Sequence, residues 1–245
     1  MTASPQSNNG RGLHGQLVHE LGRRIAAGEI DESHPLVPED IGRQFDVSRT
    51  VVRETFRVLQ SKGMVRSRQN VGTHVRPERD WNLLDPAVIQ WRLEGAQARK
   101  NMRELVELRH AVEPQAAFLA AERADDDCRR LLLEAVAEME TAAAAGDFAA
   151  FTEADVSFHA TLLRASGNMM IEQLARTVGA ALRARAGTLA IGGVSTDALD
   201  DHRQVAEAVA AGDGNAARAA MRALLDVFTR DVEAALNTRD RRRVR

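Results

Sequence analysis

The stretch "DVSRTVVRETFRVLQSKGM" (46–64) runs without a break into "MVRSRQNVGTHVRP" (64–77), and the two carry different periods. In the first, Val51, Val52, Phe56 and Leu59 line one face of a helix that Ser48 caps and Gly63 ends. In the second, residues alternate about a polar Gln69–Asn70 tip, the pattern of a small hairpin. A ribbon this short cannot cover the apolar face of the helix before it, so other helices must. Two precede it. Leu13–Ala27 places Leu13, Leu17, Val18, Leu21 and Ile25 at helical spacing and ends near Gly28. After the loop "DESHPLVPED", a short helix spans Glu39–Phe45, with Pro38 in its first turn, where a missing N–H costs nothing. Helix, helix, helix, hairpin is the outline of a winged helix-turn-helix.

Charge gives that outline a partner. The chain as a whole carries a formal net charge of −2, yet residues 41–79 hold nine Lys/Arg against three Asp/Glu. Arg49, Arg53 and Arg57 lie four apart on the third helix, opposite its apolar stripe, and Arg43 sits on the helix before it. A helix fits the major groove of DNA, and arginine bonds guanine bidentately there. Arg66 and Arg68 on the hairpin suit phosphate neutralisation or the minor groove.

The run "VSRTVVRETFRVLQSKGMV" followed by "VGTHV" resembles the signature of the GntR family of transcription regulators, an SRxxVREALxxLxxxGLV run before a GTxV wing. The resemblance implies base and phosphate contacts from Arg49 and Arg53, a neighbouring contact from Thr50, and a wing made by Gly72, Thr73 and His74. It also implies a homodimer that binds a short pseudo-palindromic operator. One stretch departs: Pro38 stands where the family usually has a glutamate, so no contact is carried over to Glu39 or Asp40.

The remainder reads as helix throughout. There is no tyrosine and only 4% aromatic residues, which disfavours strands, and periodicity from Gln97 to Thr238 is helical alone. Breaks near Arg123–Asp127, Gly146–Asp147, Ser166–Asn168, Gly192–Thr196 and Gly212–Gly214 divide it into six long helices, an antiparallel bundle. Asn168 suits an N-cap there. The linking segment "RPERDWNLLDPAVIQWRLEG" suits a hinge at Pro77 and then a helix with Trp81, Leu84, Val88 and Trp91 on one stripe. The expected division is thus a polar disordered lead (1–10), a winged helix-turn-helix domain (11–76), a linker helix (77–96), a helical effector and dimerisation domain (97–238) and a solvated basic tail (239–245). The fold class is mainly α. A single cysteine, Cys128, suits a reducing compartment, and no apolar run approaches the roughly 20 residues of a spanning helix, so a cytoplasmic protein without membrane contact is expected.

Charged groups interrupt three apolar stripes. Asp155 and His159 fall in line with Phe148, Phe151 and Leu162. His202 falls in line with Leu199, Val205 and Val209, and Arg109 with Met102, Leu105, Val112 and Ala116. An unpaired buried charge costs several kcal/mol, so such groups pair, hold a metal, or face a polar cavity. Two readings stay open on spacing alone. One is a hydrogen-bonded Asp–His core with Arg109 as its ion partner; the other is a metal site built on an i, i+4 ligand pair.

"ELRHAVEPQAAFLAAERA", "FTEADVSFHATLLRASGN" and "DHRQVAEAVAAGDGNAARAAMRALL" resemble the FCD effector domain of FadR-type GntR proteins, from Asn101 to about Phe228. The resemblance implies a bundle around a ligand cavity, with a divalent metal, zinc foremost, held by Asp155, His159 and His202. The family's usual fourth ligand, a histidine, is replaced by Leu224. "DWNLLDPAVIQWRLEG" is also similar to the linker of galactonate-responsive repressors, which share a W-N-x-L-D-x-x-V-x-Q-W run and use an Asp, His, His set. That implies a small carboxylate effector such as an aldonate, held by the metal and by Arg109, with Arg183 in a position similar to a cavity arginine. The implied function is a ligand-responsive regulator, expected to be a repressor of sugar-acid catabolism. The alternatives are a sensor of the ion itself, or an enzyme with a two-histidine, one-carboxylate metal set.

Overall fold

The computed structural model describes residues 12–68, 72–95, 97–189 and 196–243. The hairpin tip at Gln69–Asn70, the 1–10 lead and residues 190–195 lie outside the described residues. The chain forms two compact units, Met1–Ala98 and Arg99–Arg245.

The first unit holds α1 (Leu13–Ala26), α2 (Pro38–Phe45), α3 (Arg49–Ser61), β1 (Val65–Arg68), β2 (Gly72–Val75) and α4 (Pro86–Glu94). The starts of α2 and α3 follow from local chemistry. Pro38 opens α2, and the Ser48 hydroxyl accepts from the Val51 amide at 3.3 Å to cap α3. Between them Asp46 takes a left-handed conformation (φ 50°), the tight corner of the helix-turn-helix. β1 and β2 pair antiparallel, Val65 opposite Val75 and Arg68 opposite Gly72, and Leu36 adds a bridge to Thr73. Leu17, Leu21, Ile25, Val52, Phe56, Leu59 and Met64 fill the core.

The segment expected to link the units packs inside this first one. Asp85 caps α4 through the Ala87 amide (2.9 Å) and also pairs with Lys62 at 2.8 Å. Arg92, nearly buried, binds Glu78 at 2.7 Å, and the Trp81 indole donates to the Arg76 carbonyl at 2.8 Å. Trp91 is buried against α1, where its indole nitrogen donates to His19 Nδ1 at 3.0 Å. The expected stripe from Trp81 through Leu84 is corrected: α4 starts only at Pro86, so Trp81 precedes the helix and Leu84 is exposed. Proline fixes the start by disfavouring helical backbone at the residue before it.

The second unit holds α5 (Ala98–Arg123), α6 (Asp126–Ala145), α7 (Phe148–Ala165), α8 (Met169–Glu172), α9 (Ala175–Leu189), α10 (Thr196–Ala210) and α11 (Gly214–Arg243). The fold is mainly α, a winged helix-turn-helix followed along the chain by an antiparallel bundle. Its turns are capped as their sequences ask: Asp125, Asp147, Asn168 and Asp213 each accept a hydrogen bond from an amide of the following turn. α7 lies against α6 and α9, and α10 against α11 and α6. Phe158, Leu162, Val205, Val209, Met221 and Leu225 are fully buried between them. Phe148 is exposed, so the inward stripe of α7 begins a turn later than its spacing suggests. The basic tail, expected as a segment separate from the bundle, continues α11 as far as Arg243. Arginine is a good helix former and no glycine or proline interrupts the run.

Candidate functional site

Five helices of the second unit converge on one small cavity. α5 brings Arg109, α7 brings Asp155 and His159, α9 brings Leu182, α10 brings Ala198 and His202, and α11 brings Leu224, Val227 and Phe228. Arg109, Asp155, His159 and His202 are all buried, at 2–5% exposure, far below what unpaired charges tolerate. One ligand atom from each of Asp155, His159 and His202 lies within 4.8 Å of the others. The structure thus brings together the three residues expected to hold a metal, with Arg109 beside them.

The protonation of the two imidazoles can be read from their outer partners. His202 Nδ1 lies 2.5 Å from the Ala198 carbonyl, which only accepts, so Nδ1 carries the proton. His159 Nδ1 lies 2.5 Å from Glu113 Oε2, too close for two lone pairs to face each other, so Nδ1 is the protonated nitrogen, although its N–H does not point along the line to the oxygen as a hydrogen bond requires. Both Nε2 atoms therefore turn inward, 3.3 Å (His159) and 3.1 Å (His202) from Asp155 Oδ1. A carboxylate facing two imidazole lone pairs is repulsive unless a positive charge, proton or cation, sits among them. Histidine metal ligands have this arrangement, the outer ring nitrogen donating to a carboxylate or carbonyl and the inner one free to ligate. The donor set and its surroundings therefore fit a divalent metal.

Sequence reasoning missed Glu113. It is fully buried and pairs with Arg109, Oε1 accepting from Nε at 2.5 Å. The stripe expected to pass from Arg109 through Val112 passes through Glu113 instead, because residues three and four ahead flank the same face. Burial would raise the Glu113 pKa. The Arg109 and His159 charges outweigh it and hold the carboxyl at about 2. Burial likewise opposes ionisation of Asp155, but the two histidines keep its pKa well below the ordinary aspartate value. At His159, burial and Arg109 disfavour charge while Glu113 and Asp155 favour it, and the net shift is upward. With neutral imidazoles, two carboxylates face one guanidinium, so the cluster is one positive charge short.

Arg109 is held on three sides: by Glu113, by Phe228, whose ring centroid lies 4.4 Å from the guanidinium carbon, and by His159 Nε2 at 3.2 Å from Nη2. Its Nη1 is buried and has no hydrogen-bond partner. The cavity measures about 20 Å³, which admits an ion or one water and is far below the several hundred Å³ of small-molecule sites. Leu224 closes one side. Arg183 is corrected: it is exposed and paired with Glu153 at 2.6 Å. Leu182, one residue earlier and about 100° around the helix, faces the cavity in its place.

In the first unit the expected nucleic-acid residues fall on two helices and one wing. Arg49, Thr50, Arg53 and Arg57 are exposed on α3, and Arg43 is exposed on α2. Acids temper several of them: Arg49 lies 3.4 Å from Glu39, Arg57 2.7 Å from Glu54, and Arg43 pairs with Asp40. Gly72 opens β2 with φ 101°, a conformation that favours glycine. Thr73 is buried, its hydroxyl sharing a hydrogen bond with Ser67 at 2.8 Å and its carbonyl accepting from Leu36 at 2.7 Å. Its side chain therefore holds the wing together and does not face outward, a correction that the strand alternation explains. His74 is half-buried.

Comparison with known proteins agrees with both units. The model of "Bacterial regulatory proteins, gntR family" matches residues 13–75, and that of the FCD domain matches residues 104–227. The chain is 31% identical over 218 residues to the galactonate operon transcriptional repressor of Escherichia coli, covering 88% of this chain and 94% of that protein. It is 28% identical to the probable D-xylose utilization operon transcriptional repressor of Paenarthrobacter nicotinovorans, over 80% of this chain and 78% of the other. The solved structure of a Streptococcus agalactiae GntR superimposes with a TM-score of 0.52 at 26% identity, covering 89% of this chain and 99% of that one. No described helix is long and apolar enough to cross a membrane. A basic winged helix-turn-helix and a helical domain with a polar cavity, matched in this order and over most of their length, make this chain a member of the gntR family with an FCD domain, a DNA-binding transcription regulator and not an enzyme.

Proposed function

We propose that the chain represses a sugar-acid or sugar operon and is relieved by a small carboxylate that binds at a divalent metal in the FCD cavity. The observation that carries the metal is the inward pair of Nε2 atoms facing Asp155. Asp155, His159 and His202 would hold the ion. Two imidazoles and one carboxylate suit zinc and leave positions that a carboxylate oxygen can fill. The charge balance then points to the effector. A divalent cation turns a cluster short of one positive charge into one that carries an excess of one. A monoanion neutralises it, and Arg109, with Nη1 unspent, is the group to bind its carboxylate. The name of the galactonate relative supports a sugar acid, and that of the D-xylose relative supports a sugar operon.

An aldonate does not fit a cavity of about 20 Å³, so its binding requires the walls made by Leu182, Val227 and Phe228 to part. That repacking would bias the DNA-bound state, in which a homodimer places two recognition helices, through Arg49, Thr50, Arg53 and the Gly72–His74 wing, on a pseudo-palindromic operator. The cavity volume itself favours a second reading, a regulator whose signal is the ion alone. A thermal-shift screen of aldonates and related acids, with and without zinc, separates the two, together with operator release measured for each ligand. Release by an acid only in the presence of metal supports the proposal. Release by metal alone establishes the ion sensor.

A further inference from the structure

One buried carboxylate touches both the histidine and the arginine of the cavity and is neither a metal-facing nor a cavity-lining group. Glu113 has no exposed surface. Its Oε1 accepts from Arg109 Nε at 2.5 Å, and its Oε2 faces His159 Nδ1 at 2.5 Å. Oε1 is thus given to Arg109, while Oε2 lies against His159 and also accepts from Arg109 Nη2 at 3.5 Å. We propose that Glu113 is a positioning residue that binds the metal position and the anion position into one unit, setting the tautomer of His159 and the orientation of Arg109 at once. The inference rests on the metal-and-anion reading above.

The chemistry requires a carboxylate at this point. An ionised carboxylate only accepts, so it takes both donors without conflict. With the His159 proton on Nδ1 beside Glu113 Oε2, Nε2 keeps a lone pair, which meets Arg109 Nη2 at 3.2 Å and faces Asp155 and His202. With Nε held by Glu113 and its face covered by Phe228, the guanidinium keeps a fixed plane and leaves buried Nη1 as its unspent donor. A glutamine has nearly the same shape but one oxygen and one NH2. Its NH2 must face either the Arg109 Nε–H or the His159 Nδ1–H. The second conflict is relieved only by moving the imidazole proton to Nε2, which removes the ligating lone pair. The first turns the guanidinium out of its plane. The anion and metal positions therefore become mutually dependent, and by linkage each ligand raises the affinity for the other by the same factor.

The test uses the full-length chain and zinc as the probe. Competition with a chromophoric chelator should give Glu113→Gln a zinc affinity about 10- to 100-fold below wild type, the usual loss for a group that orients a histidine ligand. The 15N spectrum of histidine-labelled, metal-stripped wild type, taken above the raised His159 pKa so that the ring is neutral, should show His159 with its proton on Nδ1, and that signature should be lost in Glu113→Gln. If Glu113→Gln does not fold, Glu113→Asp keeps the charge but cannot reach both partners, and it should also lose about tenfold or more. Wild-type zinc affinity in a folded variant overturns the proposal, as does a His159 proton on Nε2 in the wild type. If the wild type binds no zinc, the metal reading fails, while the tautomer measurement still decides the role of Glu113.

Discussion

The ring of Trp91 lies 2.5 Å from where a β-carbon on Gly22 would stand. Glycine in mid-helix is unfavourable by roughly 1 kcal/mol relative to alanine, so its presence in α1 reflects the indole pressed against it. Gly22→Ala gains helix propensity but must push a fully buried side chain aside, and overpacking of that kind costs about 1–3 kcal/mol. The clash outweighs the propensity. Thermal or urea unfolding should show a net loss of up to about 2 kcal/mol in the unit that carries α1 and α4. A more stable Gly22→Ala variant would mean that α4 is not seated on α1.

Metal removal should destabilise the protein. At a free zinc concentration of about 100 times Kd, binding contributes about 2.7 kcal/mol. For a domain of this size that is a fall in Tm of roughly 5–10 °C on chelation. His159→Ala should abolish both the chelator effect and the bound metal found by elemental analysis. Stoichiometric metal in His159→Ala would remove that residue from the site.

Arg109 should decide the effector response. Deleting its charge outright would strand Glu113 in the core, a loss of about 3–5 kcal/mol, so Arg109→Ala confounds folding with binding. Arg109→Lys keeps the charge and loses the planar fork. It should retain a cooperative melt while its thermal shift with aldonates falls by about tenfold or more in apparent affinity, the scale of one charge-assisted hydrogen bond. Arg183→Ala, which removes only the exposed pair with Glu153, should leave that shift unchanged.

On the DNA side, Arg49→Ala should weaken operator binding about 10- to 100-fold, the scale of one bidentate base contact. Its Tm should stay within about 1 °C, because the pair with Glu39 is exposed and worth little. Equal affinity for operator and for unrelated DNA in both proteins, measured by electrophoretic shift at fixed salt, would remove α3 from the role of recognition helix.

Helix starts and stops were legible because their chemistry is local. Ser48, Asp147 and Asn168 bond amides two or three residues ahead, and nothing distant is needed to place them. The Asp155–His159 pair was legible for the same reason, since residues four apart on a helix meet whatever surrounds it. Stripe membership at single-residue resolution was not. Val112 and Glu113 flank the same face, and Leu182 and Arg183 differ by about 100°, so small rotations of α5 and α9 in the bundle choose between them. The sequence alone therefore determined the family, the order of the helices and three residues able to meet one ion. Only the tertiary structure decided that Glu113 joins His159 to Arg109, that Arg183 stays in solvent, and that the cavity holds little more than an ion. Each of those depends on how separate helices rotate and pack, and no short-range spacing encodes that.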